Sequence, residues 1–205
     1  MGHREDLLEG AKRCLLEKGF VRTTARDIVK ESGTNLASIG YHYGSKDALL
    51  VQAYVSLVEG TGHRFEPGGE GAQALSTPAG SLDRFREVWT NIIRALPESR
   101  PIWLLSFEVI LQGDRLPEVR RMLIEAEEQG RSGLIPLFSD VPEDELDKET
   151  IDSEGRFYTT LLQGLMVQWL FNQDTATDAD QLTEGLRRII AGAGQSTSGQ
   201  LDRSS

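Results

Sequence analysis

The stretch Thr23–Leu50, TTARDIVKESGTNLASIGYHYGSKDALL, decides how this chain reads. Thr24 stands before a helical pattern with Asp27 three residues on. In that spacing a hydroxyl caps the N3 amide while the N3 carboxylate returns to the cap's own N–H. Ile28 and Val29 supply the buried side of the helix, and Gly33 ends it. Asn35, a favoured N-cap, then opens a second short helix that reaches about His42. Ser45 caps the next helix, Asp47 sits in its positive first turn, and Leu49, Leu50, Ala53, Tyr54 and Leu57 carry its stripe. Two short helices joined by a tight Gly-containing turn make a helix-turn-helix, whose second helix fits the major groove of DNA.

Upstream, residues 4–18 place Leu7, Leu8, Ala11 and Leu15 on one face before Gly19. Downstream, residues 66–80 are rich in Gly and Pro and read as a mobile loop. A helix from about Ser81 carries Leu82, Phe85, Trp89, Ile92 and Leu96, and Pro97 and Pro101 bracket a turn into an apolar segment, Ile102 to Gln112. Pro117 starts another helix with Val119, Met122, Leu123 and Ala126, fading near Gly130 to Pro136. The acidic VPEDELDKET reads as a solvated connection. Residues 148–172 are apolar on two sides, and Thr177 caps a last amphipathic helix with Leu182, Leu186, Ile189 and Ile190. No alternating strand pattern appears, so the expected fold is all-α. Its expected divisions are a DNA-binding domain at 1–48, a ligand-binding and dimerisation domain at 49–193, and a disordered tail at 194–205.

Composition narrows the function. At 205 residues and 39% hydrophobic the chain can bury a core without staples. One Cys forms no internal disulfide, and neither it nor His3 and His63 sits at metal-ligand spacing. Cys14, beside Leu15, reads as a small buried hydrophobe. The first twenty residues hold eight charges and no apolar run, unlike a secretory signal. Ile102–Leu111 is too short and too polar to span a bilayer, which needs about 20 residues. The expectation is a soluble cytoplasmic protein without membrane contact. The net charge of −10 is unevenly spread: residues 1–48 hold eight bases against seven acids, the remainder 14 against 25. Screening confines charge effects to about 10 Å, so the acidic remainder does not forbid a DNA-binding N-terminus.

Several residues carry the right chemistry for DNA. Thr24 places a hydroxyl and free amides at a helix N-terminus, where a phosphate is attracted, and Ser45 with Lys46 repeats the arrangement with a charge added. Tyr41 and His42 can hydrogen-bond backbone oxygens, whereas Tyr43 reads as packing between helices. Arg26 either reaches DNA or pairs with a neighbouring acid. Base reading falls to Asn35 or Ser38 by hydrogen bonds and to Leu36 and Ala37 by contact with thymine methyls; Asn35 also reads as a plain cap.

In helix one ending at Gly19-Phe20, the run TTARDIVKESG, then Tyr41-His42-Tyr43 and Ser45-Lys46-Asp47-Ala48-Leu49, the chain resembles the TetR family of bacterial transcriptional regulators. The resemblance covers about the first 50 residues. It departs at Gly40, where many members carry a phosphate-contacting Tyr. No cofactor is expected, the apolar and aromatic residues of the C-terminal helices suggest a largely hydrophobic inducer, and the resemblance implies a repressor that binds a pseudo-palindromic double-stranded operator as a homodimer and is released by that small inducer. It also implies a pocket among the C-terminal helices, for which Trp89, Ile93, Trp103, Phe107, Glu108, Tyr158, Leu162 and Met166 are candidates. Core packing is the competing role for the aromatics, and an arginine such as Arg94 the competing partner for Glu108. The two apolar sides of the last long helices suggest a four-helix dimer interface from Leu161, Gly164, Leu165, Gln168, Trp169, Leu182, Leu186 and Ile189. An enzyme would need a nucleophile with its base, a carboxylate pair or a metal cluster, and no such motif is visible. A helical dimer that has lost DNA binding is the third reading.

Overall fold

In the computed structural model, which describes residues 2–62 and 75–201, each capping signal of the N-terminal stretch opens a helix. Helix α1 is His3–Lys18, α2 Ala25–Ser32, α3 Leu36–Tyr43 and α4 Lys46–Gly62. The Thr24 hydroxyl accepts from the Asp27 amide at 3.2 Å while Asp27 Oδ2 accepts the Thr24 N–H at 2.9 Å, completing the reciprocal cap of α2. Asn35 Oδ1 accepts the Ser38 N–H at 3.1 Å and Ser45 Oγ the Ala48 N–H at 3.0 Å. Such caps are worth about 1 kcal/mol each, a useful share of the stability of eight-residue helices.

Packing gathers the described chain into two units. The first comprises residues 2–62 with 97–131. Its core joins Leu7, Ala11 and Leu15 of α1, Ile28 of α2, Ile39 and Tyr43 of α3, and Leu49, Leu50 and Ala53 of α4. Leu105 and Val109 of α5 (Leu82–Gly113) and Val119 of α6 (Pro117–Gly130) complete it. Each fully buried Leu, Ile or Val among them stabilises the fold by roughly 1.5–3 kcal/mol. At Gly10 a side chain would bring its Cβ within 2.8 Å of the Ser32 Cβ, so glycine lets α1 lie directly on α2. The packing unit therefore continues past residue 48, because the helix-turn-helix finishes burying its apolar side only against α4, α5 and α6.

The second unit comprises residues 75–96 with 132–201. It holds the first half of α5, α7 (Ile135–Ser139), a 3-10 turn at Glu143–Glu145, α8 (Lys148–Thr150), α9 (Arg156–Phe171) and α10 (Ala179–Leu201). Phe85 and Trp89 of α5 meet Phe138 of α7, on which Tyr158 of α9 stacks at 3.9 Å and 7°. Arg84, 5% exposed, donates to the Thr77 carbonyl at 2.9 Å and to Asp140 at 3.1 Å, tying residues 77–84 to the end of α7. No strand occurs among the described residues.

Four expectations are corrected or bounded. Pro97 and Pro101 lie inside the continuous α5 rather than at a break. Both rings are exposed, so the carbonyls of Ile93 and Pro97, which lose their donors, can be hydrated, and the buried stripes on either side keep the helix in register. The fading region near Pro136 contains α7, started by that proline at N1 or N2. Residues 148–171 are interrupted by a π-helical turn at Ile151–Gly155. Helix α10 runs to Leu201, and residues 202–205 of the expected tail lie outside the described residues, as do 63–74 of the expected mobile loop.

Candidate nucleic-acid interface

The exposed side of α3 is set by what its other side buries. Ile39 and Tyr43, one turn apart, are in the core, and the Tyr43 hydroxyl donates to the Arg4 carbonyl at 2.6 Å. That anchorage turns Leu36 (52% exposed), Ala37, Gly40 and Tyr41 (86% exposed) outward. Ser38 and His42 are half-buried, and the His42 ring meets that of Tyr41 edge-on at 4.8 Å. A large phenol left almost wholly in water, on an eight-residue helix held by two buried anchors, is suited to contacting a partner.

The charges are partly committed elsewhere. In the first unit Lys12 pairs with Glu9, Arg13 with Glu31 and Lys18 with Asp27. Lys18 and then the Thr24 cap hold the Asp27 carboxyl far below the usual carboxylate range. Lys46 bonds Asp47 at 2.9 Å and the Thr23 carbonyl at 3.3 Å, and lies 5.9 Å from the centre of the Phe20 ring. Its ammonium thus already fixes the start of α4 to the turn before α2, and a phosphate would have to share it with Asp47. Arg26 and Lys30, one turn apart on α2, are exposed and make no ion pair among the described residues. Lys30 escaped the sequence reading, although its four-residue spacing from Arg26 is the signal that marks the ridge. The Thr24 hydroxyl serves the cap of α2, and Asn35 uses its oxygen on Ser38, leaving its amide donors for other groups.

Glu108 does not stand free in a pocket. Its carboxylate accepts the Phe20 N–H at 3.0 Å and the Val21 N–H at 2.9 Å, binding the second half of α5 to the turn between α1 and α2. Gly19, at φ 78°, makes this possible: a Cβ there would lie 2.4 Å from Glu108 Oε2. Thr23, 1% exposed, secures the same turn by donating to the Gly19 carbonyl at 2.7 Å.

The remaining pocket candidates divide between the units. Trp103 and Phe107 join Glu108 in the first, and Trp89, Ile93, Tyr158, Leu162 and Met166 are in the second. Trp89 and Tyr158 are brought together through Phe138, a residue outside every element expected from the sequence. Burial pushes the Tyr158 phenol up to about 12, with Glu154 adding to the shift. The indole N–H groups of Trp89 and Trp103 are buried without an acceptor among the described residues. Of the interface candidates, Leu165 and Trp169 are buried within their own unit, and Gln168 accepts the Thr177 N–H and hydroxyl at 3.0 and 2.7 Å. Leu161, Leu182 and Leu186 are half-buried, and Gly164 and Ile189 are exposed, beside Ile190 and the 87% exposed Phe171.

Comparison with known proteins decides the family. The model of bacterial regulatory proteins of the tetR family matches residues 7–53, and that of the BetI-type transcriptional repressor C-terminal region matches 81–194, more than half of the chain. The chain belongs to the TetR family. The regulator BetI of Rhizobium meliloti is 26% identical over 132 residues, 64% of this TetR-family chain and 62% of that protein. The chain thus spans under two-thirds of the length of the curated relatives it matches first. Among solved structures, the transcriptional regulator SCO7518 of Streptomyces coelicolor A3(2) shares the fold with a TM-score of 0.64 at 22% identity, covering 91% of this chain and 97% of that one. The multidrug binding protein EbrR, complexed with imidazole, has a TM-score of 0.58 at 23% identity over 92% and 95%. The matched families are regulators of transcription, not enzymes. No group of metal-ligating side chains and no helix long and apolar enough to cross a membrane occurs among the described residues.

Proposed function

We propose that this TetR-family chain is a ligand-responsive repressor that binds a pseudo-palindromic operator as a homodimer. The observation that carries the reading is the outward face of α3, where Leu36, Ala37, Gly40 and Tyr41 stand exposed above the anchors Ile39 and Tyr43. A dimer inserts two copies of α3 into successive major grooves. Tyr41, His42, Thr24, Arg26 and Lys46 hold the phosphate backbone, and Leu36, Ala37, Ser38 and the Asn35 amide face the base edges. The match to a BetI-type repressor C-terminal region supports repression. The exposed apolar side chains Phe171, Ile189 and Ile190 of α9 and α10 support a second copy as the covering surface.

The inducer is a small, largely hydrophobic molecule. The aromatic group Phe85, Trp89, Phe138 and Tyr158 gives the second unit the surface to hold one, and the Trp89 N–H offers it a single donor. That EbrR is a multidrug binding protein supports a small-molecule site in this fold. Release requires the inducer to bind one state more tightly than the other; tight binding to both shifts nothing. The test is a variant carrying Tyr41→Ala and Lys46→Ala, titrated against the duplex that the wild type enriches from a random pool. Operator binding should fall at least a hundredfold while the dimer and its helical signal persist. Normal binding by the folded double variant would remove this assignment of the phosphate contacts, whereas a folded, dimeric wild type that enriches no duplex would favour a helical dimer that does not use DNA.

A further inference from the structure

Among the described residues nothing in the packing or the backbone calls for glycine at position 40. It lies in the middle of α3, is not among the glycines with positive φ, and a Cβ built on it meets nothing within 4 Å. The contrast with its neighbours is direct. Gly10 is required by the contact with Ser32, Gly19 by its φ and by Glu108, and Gly33 and Gly44 by their positive φ at the ends of α2 and α3; Gly60, Gly164 and Gly185 are as open as Gly40 but lie outside the helix-turn-helix. Glycine weakens a helix interior more than any residue except proline. At Gly40 the chain accepts that weakness on a helix of eight residues, at an exposed position, with no close approach inside the molecule to account for it.

The position is one turn beyond Leu36 and Ala37 and next to Tyr41, on the outward side of α3. We propose that Gly40 is a determinant of operator sequence: its missing side chain lets the backbone of α3 seat against a thymine methyl in the major groove, at a base pair adjacent to those met by Leu36 and Ala37. The assignment rests on α3 being the recognition helix. The amide and carbonyl of a residue in mid-helix are turned along the helix axis, so Gly40 offers the groove only its Cα hydrogens. Such a surface carries no hydrogen-bonding code. It discriminates by shape and apolar contact, and the thymine C5 methyl is the group in the major groove that answers to that. An added methyl on the protein would compete with the methyl on the base for the same space.

The test uses the full chain as wild type, Gly40→Ala and Gly40→Ser. Each is melted, titrated against the duplex enriched by the wild type, and used for its own selection from random duplex DNA at near-physiological salt. Gly40→Ala should melt a few degrees higher, because alanine is the better helix former. It should nevertheless bind the wild-type duplex at least tenfold more weakly. Its own selection should lose the preference for T·A at one symmetry-related pair of positions while the rest of the operator is unchanged. Gly40→Ser should follow the same pattern without the gain in melting temperature. Equal or tighter binding by Gly40→Ala with unchanged base preference would overturn the assignment. A loss of affinity uniform over all sequences, non-specific duplex included, would also overturn it, since that is the mark of a changed backbone contact or a stiffened helix. A wild type that enriches no duplex would remove the recognition-helix reading and this assignment together, whereas a wild type that enriches one and an alanine variant that matches it contradicts Gly40 alone.

Discussion

Glu87 gathers the N–H and hydroxyl groups of Ser76 and Thr77 onto one carboxylate, with the Ser76 N–H at 3.0 Å and its hydroxyl at 2.8 Å. The Thr77 hydroxyl is the largest cause, ahead of the Ser76 donors, of a carboxyl held down at about 2. A depressed folded-state value means that the ionised form stabilises the fold. The contribution is complete above the ordinary value of 4.5 and is lost as pH falls from there toward 2. Glu87→Gln should therefore cost about 1–2 kcal/mol at pH 7, the low end of what charged hydrogen bonds contribute because solvent reaches the group. The gap between the two proteins should narrow between pH 5 and pH 3. Urea midpoints of both across that range check it, and a gap that does not depend on pH would mean that shape rather than charge holds the strap. The local sequence shows Ser76, Thr77 and Glu87 but not their meeting, because eleven residues and a turn separate donor from acceptor.

At the scale of elements, caps explain why the N-terminal helices were legible. Thr24, Asn35 and Ser45 each act within three residues of themselves, so sequence spacing alone specifies the bond. Long-range partners were not legible in this way. Glu108 looked like a buried acid in search of a ligand or an arginine, and it meets two amides 87 and 88 residues away. The prolines of α5 misled for the opposite reason: the local rule says break, but a 32-residue helix buried on both sides of them overrides it. Glu108→Ala leaves the part-buried Phe20 N–H without an acceptor, while the exposed Val21 N–H can turn to water. The expected cost is about 1–2 kcal/mol, a fall of roughly 2–6 °C in Tm. Because the same turn feeds α2, operator binding should weaken beyond what the lost stability explains when measured well below Tm. Thermal melts and DNA titrations of the one variant separate these effects. Unchanged affinity would reduce Glu108 to a stabilising contact.

For the whole molecule, charge is unevenly distributed along the chain. The acid excess lies wholly beyond residue 48, while the N-terminal bases include Arg26 and Lys30, which make no ion pair among the described residues. The fold class followed from periodicity, and the family from the order and spacing of short motifs. Packing assigns the two halves of one helix to different cores, which no local pattern of residues announces. The most direct measurement is selection by the purified protein from random-sequence duplex DNA at near-physiological salt, where weak phosphate binding is suppressed. Recovery of one pseudo-palindrome, with half-sites about one helical turn apart or a multiple of it, is the predicted result for two copies of α3 held by a dimer. Recovery of no preferred sequence by folded, dimeric protein would contradict the claim that the face built from Leu36, Ala37, Gly40 and Tyr41 reads DNA.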